Sequence, residues 1–161
     1  MALGDIEKKV ELEVRSELGG STVFNQIGKR NVLTRYNVKM TRFDKLFESR
    51  QWERPCLCKI DVQGAELTVL RGMGEKIRSL DMLIVEVNLI ERLRGCPEVF
   101  TVLRFFFEND FVLLDILSLN RRPLDGLAAQ ADLVLVPSGS PLRADKRWLT
   151  MHNHESNPDV R

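Results

Sequence analysis

The octapeptide Lys59-Ile60-Asp61-Val62-Gln63-Gly64-Ala65-Glu66 constrains this chain more than any other stretch. An apolar run from Pro55 ends in an acid, a glycine and a second acid, and an amphipathic segment starts at once. In an open α/β sheet, this is where a strand's carboxyl end meets a helix start, and such sheets bind ligands there. An acid on the strand tip can reach a bound substrate. Gly64 removes the side chain that would block a close backbone approach. Glu66 falls in the first helical turn, where free N–H groups favour negative charge. The segment reads as a strand–turn–helix site, with Asp61 its most exposed polar group.

The rest of the chain is read around this junction. Lys8 to Arg15 alternates apolar and polar residues, a half-exposed strand pattern. Gly19-Gly20 breaks it, and Ser21 to Asn25 is a candidate hairpin partner. Val32 to Met40 reads as extended. Thr41-Arg42-Phe43-Asp44 has the form of a capping box for a short helix ending near Ser49. The strand Cys56 to Val62 is nearly continuous in apolar character, as expected for a parallel strand covered on both faces. Leu67, Leu70, Met73 and Ile77 form a helical stripe that Gly72 and Gly74 weaken. Met82 to Val87 reads as a buried strand. Pro97 opens a helix with Val99, Val102, Leu103 and Phe106 inward. Phe111–Leu117 and Asp132–Val136 are further strands, and the polar excursion Asn120 to Ala129 between them is long enough to lie over the sheet edge. Strand–helix–strand–helix–strand order predicts right-handed crossovers and a parallel core, and the last two strands predict an antiparallel edge hairpin.

Composition narrows the function classes. The chain has 161 residues, normally one domain, with 43% hydrophobic residues to build a core. Lys and Arg total 24 against 23 Asp and Glu, so no basic stripe for nucleic acid is expected; Lys29-Arg30 and Arg121-Arg122 are too short to form one. No apolar run approaches the ~18–20 residues of a membrane span, and the charged N-terminus lacks a signal-peptide core. The three cysteines, Cys56, Cys58 and Cys96, are expected as reduced core thiols of a cytoplasmic protein. From Pro137 the sequence turns aperiodic, and disorder is expected after about Trp148. His152-Asn153-His154 matches a nuclease-like pattern but lacks the ββα context that such a metal site needs. A Gly-x-Ser-x-Gly elbow is absent, which argues against a hydrolase of similar topology.

The octapeptide, followed by Val69-Leu70-Arg71-Gly72, resembles the central motif of FkbM-type S-adenosylmethionine-dependent methyltransferases. Ile84-Val85-Glu86-Val87-Asn88 resembles the family's next strand. Phe106 to Leu114 and Gln130 to Val136 resemble its later helix–strand step and closing strand, while Ala2-Leu3-Gly4-Asp5 and Gly19-Gly20-Ser21 resemble segments before the motif. The resemblance covers residues 1 to 137, with 138–161 as a C-terminal extension. It implies a truncated class I methyltransferase sheet, Rossmann-like, with a parallel core and an antiparallel edge hairpin. The family's glycine turn and its first strands have no counterpart before Ala2.

The resemblance implies methyl transfer from S-adenosylmethionine to a hydroxyl of a sugar or natural-product-like small molecule. Asp61 and Glu86 are the expected catalytic residues. Ala2, Leu3, Asp5, Asp61 and Val62 are expected at the cofactor, and Gln63, Glu66 and Asn88 at the substrate. Asp61 also suits capping of the next turn, and Glu66 suits the helix dipole. Asp61, Glu86 and Asn88 would offer three oxygens to a divalent cation; a metal is not favoured. Glu86 and Lys59, charged groups within apolar strands, each need a partner. Gln130 and Asp132 are candidates for the same sheet end. The alternative is a non-catalytic α/β remnant or interaction module lacking the cofactor-binding half. On either reading the expected partners are a small-molecule substrate and, through an uncovered sheet edge, a second copy of the chain.

Overall fold

The computed structural model describes residues 1–15, 21–24 and 32–147. The expectations for Gly19-Gly20, Asn25, Lys29-Arg30, His152 and His154 fall outside them, as does the segment from Trp148.

Among the described residues the strands form two sheets, with one short helix between them in chain order. The first contains β1 (Ala2–Leu3), β2 (Lys8–Arg15) and β3 (Val32–Thr41) in the order β1-β3-β2. Alternating Val10, Leu12 and Val14 drive β2 to pair antiparallel with β3, from Lys8↔Met40 to Arg15↔Val32. Thr22 adds an isolated antiparallel bridge to Glu13, a fragment of the expected hairpin partner. The expected capping box does not form. Thr41 is the last residue of β3, and its hydroxyl donates to Glu7 Oε1 at 3.2 Å. The helix α1 is a single turn, Phe43–Leu46, without a side-chain cap. Phe43, Phe47 and Trp52 pack ring against ring and hold that turn in place.

The second sheet contains β4 (Leu57–Ile60), β5 (Met82–Asn88), β6 (Phe111–Arg121) and β7 (Ala128–Pro137) in the order β4-β5-β7-β6. The chain crosses from β4 to the parallel β5 through α2 (Glu66–Met73) and the 3-10 turn Gly74–Ser79. It reaches β6 through α3 (Val99–Glu108). The parallel core is shorter than expected. The strand β6 does not pair with β5; β7 lies between them, antiparallel to both. The expected hairpin is therefore real, and its second strand sits inside the sheet. Its connection does not lie over the edge as expected. Strand β6 runs on to Arg121, and Arg122 and Asp125 close a tight turn with Leu127 N donating to Asp125.

The core lies where α2 and α3 cover one face of this sheet. Leu83, Val85 and Val87 of β5 meet Leu70, Met73, Val102 and Phe106, all 2% exposed or less. Strand β4 departs from expectation. It is an edge strand with one neighbour, and its residues alternate in burial, with Leu57 57% exposed. Among the described residues it pairs on one side alone, and the alternating burial shows one face open, so its apolar run is not a sign of double coverage. Lys59 accordingly sits in solvent rather than in the core.

Candidate functional site

At the carboxyl ends of β4 and β5, the chain gathers side chains from five segments. The turn after β4 requires positive φ at two residues, 51° at Gln63 and 101° at Gly64. A Cβ on Gly64 would sit 2.9 Å from Leu93 Cδ1 and 3.2 Å from Cys96 Cβ, so only glycine fits beneath the loop that follows β5. Glu66 stabilises the turn from within. It is 2% exposed, and its Oε1 accepts from Gly64 N at 2.9 Å and Val62 N at 3.3 Å. Burial pushes its carboxyl above the ordinary value, against the pull of those N–H groups.

The turn aims the Gln63 side chain at two acids. Gln63 Nε2 donates to Asp61 Oδ1 at 2.9 Å and to Glu86 Oε1 at 3.0 Å. Gln130 Nε2, on β7, donates to the same Glu86 oxygen at 2.5 Å. Register explains that contact: Asn88 pairs with Gln130 and Glu86 with Asp132, so the four side chains share one face of the sheet. Opposite Gln63, Arg92 Nη2 donates to Gln63 Oε1 at 2.6 Å. Thr22 Oγ1 donates to the Gln63 carbonyl at 2.6 Å, tying the first sheet to this turn.

The two acids differ. Asp61 lies one residue past β4, 37% exposed, with Lys59 Nζ at 3.4 Å. Glu86 is 8% exposed, and its Oε2 accepts no hydrogen bond among the described residues. Burial raises the Glu86 pKa above its ordinary range. Nearby Asp61 adds to the rise, Arg92 opposes it, and Glu66 and Asp132 contribute less. A carboxylate with one oxygen anchored and one free, its proton affinity raised, is equipped to take a proton.

The sequence-based expectations meet this geometry unevenly. Asp61, Gln63 and Glu86 come together in one network. Glu66 spends its Oε1 on the turn. Asn88 is 2% exposed, and its Oδ1 lacks a partner among the described residues. The three oxygens that Asp61, Glu86 and Asn88 could have offered a cation, a possibility the sequence did not favour, are interrupted by the Gln63 amide, which stands between the two acids; among the described residues no three His, Cys, Asp or Glu gather as a metal set. Ala2, Leu3 and Asp5 lie apart from these residues. Gly4 O comes within 2.0 Å of where a Cβ on Gly72 would stand, at the last turn of α2, whereas Asp61 precedes its first. Cys56, Cys58 and Cys96 are free thiols, and burial raises the Cys58 pKa with help from Cys56. Among the described residues no helix is long and apolar enough to cross a membrane.

Two participants escaped the reading of the sequence. Arg92 lies in a loop with no periodicity to place it, and Thr22 sits in an isolated bridge; neither carries a local signal.

The arrangement defines a mixed α/β protein with a cluster of acidic side chains at the carboxyl end of a parallel strand pair. The methyltransferase FkbM domain matches residues 4–113, and the chain belongs to that family. It is also similar to the hexuronic acid methyltransferase AglP of Haloferax volcanii, 39% identical over 51 residues. That match takes in 32% of this chain and 21% of the relative. No solved structure matches the chain.

Proposed function

We propose that this chain is an S-adenosylmethionine-dependent O-methyltransferase domain with its acceptor side at the carboxyl ends of β4 and β5, acting on a hydroxyl of a sugar or natural-product-like small molecule. The observation that carries the reading is Glu86, with Oε1 held by two amides and Oε2 unengaged, beside Asp61 at the sheet's carboxyl end. The order β4-β5-β7-β6, with β7 antiparallel, fits the second half of a class I methyltransferase sheet. The name of the Haloferax relative favours a sugar-derived acceptor.

The donor set suits the cofactor's charge. Asp61, Glu86, Glu66 and Asp132 raise the negative potential at this sheet end, with Arg92 the opposing charge at Glu86. A cationic sulfonium is at home in such a field. When bound, S-adenosylmethionine supplies an electrophilic methyl group.

The chain's own residues do the rest. Glu86 Oε2 accepts the proton that an acceptor hydroxyl gives up, while Gln63 and Gln130 keep the carboxylate from rotating. Asp61, exposed and steadied by Lys59 and Gln63, orients the hydroxyl. Alignment of donor and acceptor carries the larger part of such a reaction.

Calorimetric titration with S-adenosylmethionine tests the reading, and a saturable heat is expected. With transfer to a uronic acid or hexose acceptor established, Glu86→Gln lowers kcat by about 10²–10⁴-fold, a larger effect than its loss of cofactor affinity. Absence of heat at millimolar cofactor favours the second reading, a non-catalytic α/β module. The one-sided pairing of β4 speaks for that alternative, since its open edge suits further strands from a partner.

A further inference from the structure

Gln63 stands between groups of opposite charge, and a primary amide has two different ends. Its Nε2 carries two N–H donors, and each meets one carboxylate, Asp61 Oδ1 at 2.9 Å and Glu86 Oε1 at 3.0 Å. Its Oε1 meets the Arg92 guanidinium at 2.6 Å. Turned by half a rotation about its last bond, the amide would set an oxygen against two carboxylates and an NH2 against a cation. Both contacts would then repel. An arginine has no acceptor, so it tolerates only the oxygen end. The carboxylates, when ionised, have no donor, so they tolerate only the nitrogen end.

Arg92 is held in place through its loop rather than through its guanidinium. Its Nε is buried and unpartnered among the described residues, a state that a cation tolerates where neighbouring acids compensate it. Two of its loop neighbours, Leu93 and Cys96, are buried against Gly64, so the loop cannot leave without exposing apolar surface. The backbone of Gln63 is pinned separately by Thr22. The freedom left to Gln63 is thus the orientation of its amide.

We infer that Arg92 is a positioning residue for the proposed reaction: it fixes the Gln63 amide so that both N–H bonds point at Asp61 and Glu86, which spaces the two acids and leaves Glu86 Oε2 as the free oxygen. The inference rests on Glu86 being the proton acceptor. Arg92 touches neither acid by hydrogen bond and acts through Gln63.

The side-chain NH2 signals of Gln63 in a nitrogen–proton correlation spectrum read this orientation directly, without cofactor or turnover. In the wild-type chain both protons are expected downfield and slow to exchange, with couplings across the hydrogen bonds to the carboxyl carbons of Asp61 and Glu86. In Arg92→Met the couplings disappear and the pair exchanges rapidly, while backbone amides of β4 and β5 keep their positions. Arg92→Lys, which retains a cation facing Oε1, recovers the couplings in part. A role limited to holding the loop would move loop amides and leave the Gln63 pair untouched, and that result overturns the inference. So does a wild-type spectrum without either coupling, whether or not the methionine variant folds. Loss of cofactor binding with the couplings intact would instead count against the proposed reaction alone.

Discussion

The two ends of α2 are secured by different physics. An eight-residue helix is about 12 Å long, so the ends are near neighbours. At its start, side chains meet across a network: Glu66 binds the preceding turn, and Gln63 joins Asp61 to Glu86. At its finish, backbone packs on backbone, with Gly72 against Gly4. There the polar contact is the Arg42–Asp44 ion pair, about a quarter exposed on each side. A depression of about 530 Å³ opens beside it, lined by Arg42, Asp44, Lys45, Glu48, Glu75 and Lys76, but it holds none of the acids of the first end. One end is thus closed by volume and the other is set by charge. Substitutions that change size are tolerated worst at the first kind of end, and substitutions that change protonation matter most at the second.

The sharpest way to break this contrast is Gly72→Ala. The added methyl would meet Gly4 O at 2.0 Å, and a backbone atom within a strand connection cannot step aside. A loss of at least ~3 kcal/mol in urea unfolding is expected; a loss below ~1 kcal/mol would show that the close approach is not a constraint.

At the other end, outside the tight position of Gly64, the acceptor oxygens of Glu66 matter most. Glu66→Ala leaves the Gly64 and Val62 N–H groups without their acceptor and is expected to cost about 1–3 kcal/mol. Glu66→Gln keeps an acceptor oxygen and is expected to fold with wild-type stability or better at neutral pH. The pH dependence follows from the sign of the shift. Burial raises the Glu66 carboxyl above its ordinary 4.5, so between the two values the folded chain binds more protons than the unfolded one. Its contribution is full below the unfolded value and fades as pH rises through the folded one. Wild-type stability should therefore fall relative to Glu66→Gln as pH rises above about 4.5, then level off. Parallel curves at all pH values would remove Glu66 from the account.

The smallest effect belongs to the ion pair. Arg42 and Asp44 hold each other's protonation, the guanidinium up and the carboxyl down, through their hydrogen bonds. Asp44→Asn is expected to lower the thermal midpoint slightly in dilute buffer and not at all in about 1 M salt. An equal loss in both would mean that packing against Gly74, not charge, is what Asp44 contributes.

The strands were legible where periodicity was strict. Strand β2 follows its alternation from Lys8 to Arg15, and α2 ends at Met73, before Gly74 as its glycines suggested. The junction at Asp61 was legible because an apolar run ended in an acid and a glycine. What escaped depended on neighbours. Whether a run such as Leu57–Ile60 is covered on both faces depends on what lies beside it, which its own residues do not record. Thr41 reads as a cap until β3 claims its backbone. In the site, Glu86 was legible as a charge stranded in an apolar strand. The groups around it were harder to place. Gln130 was a candidate for this sheet end, but its bond to Glu86, 44 residues away in sequence, follows from register, and Arg92, from an aperiodic loop, reaches the network through Gln63.

The placement of β7 has a consequence for assembly. It is the last strand of the second sheet, residues Ala128–Pro137, yet it fills the gap between β5 and β6. A chain emerging from the ribosome has made Glu86 long before the strand that carries Gln130. Until then β6 has no neighbour to pair with β5, and the buried acid lacks half of its amide cradle. Completion of the sheet and completion of the acid's surroundings are a single late event, so an unfinished chain has neither.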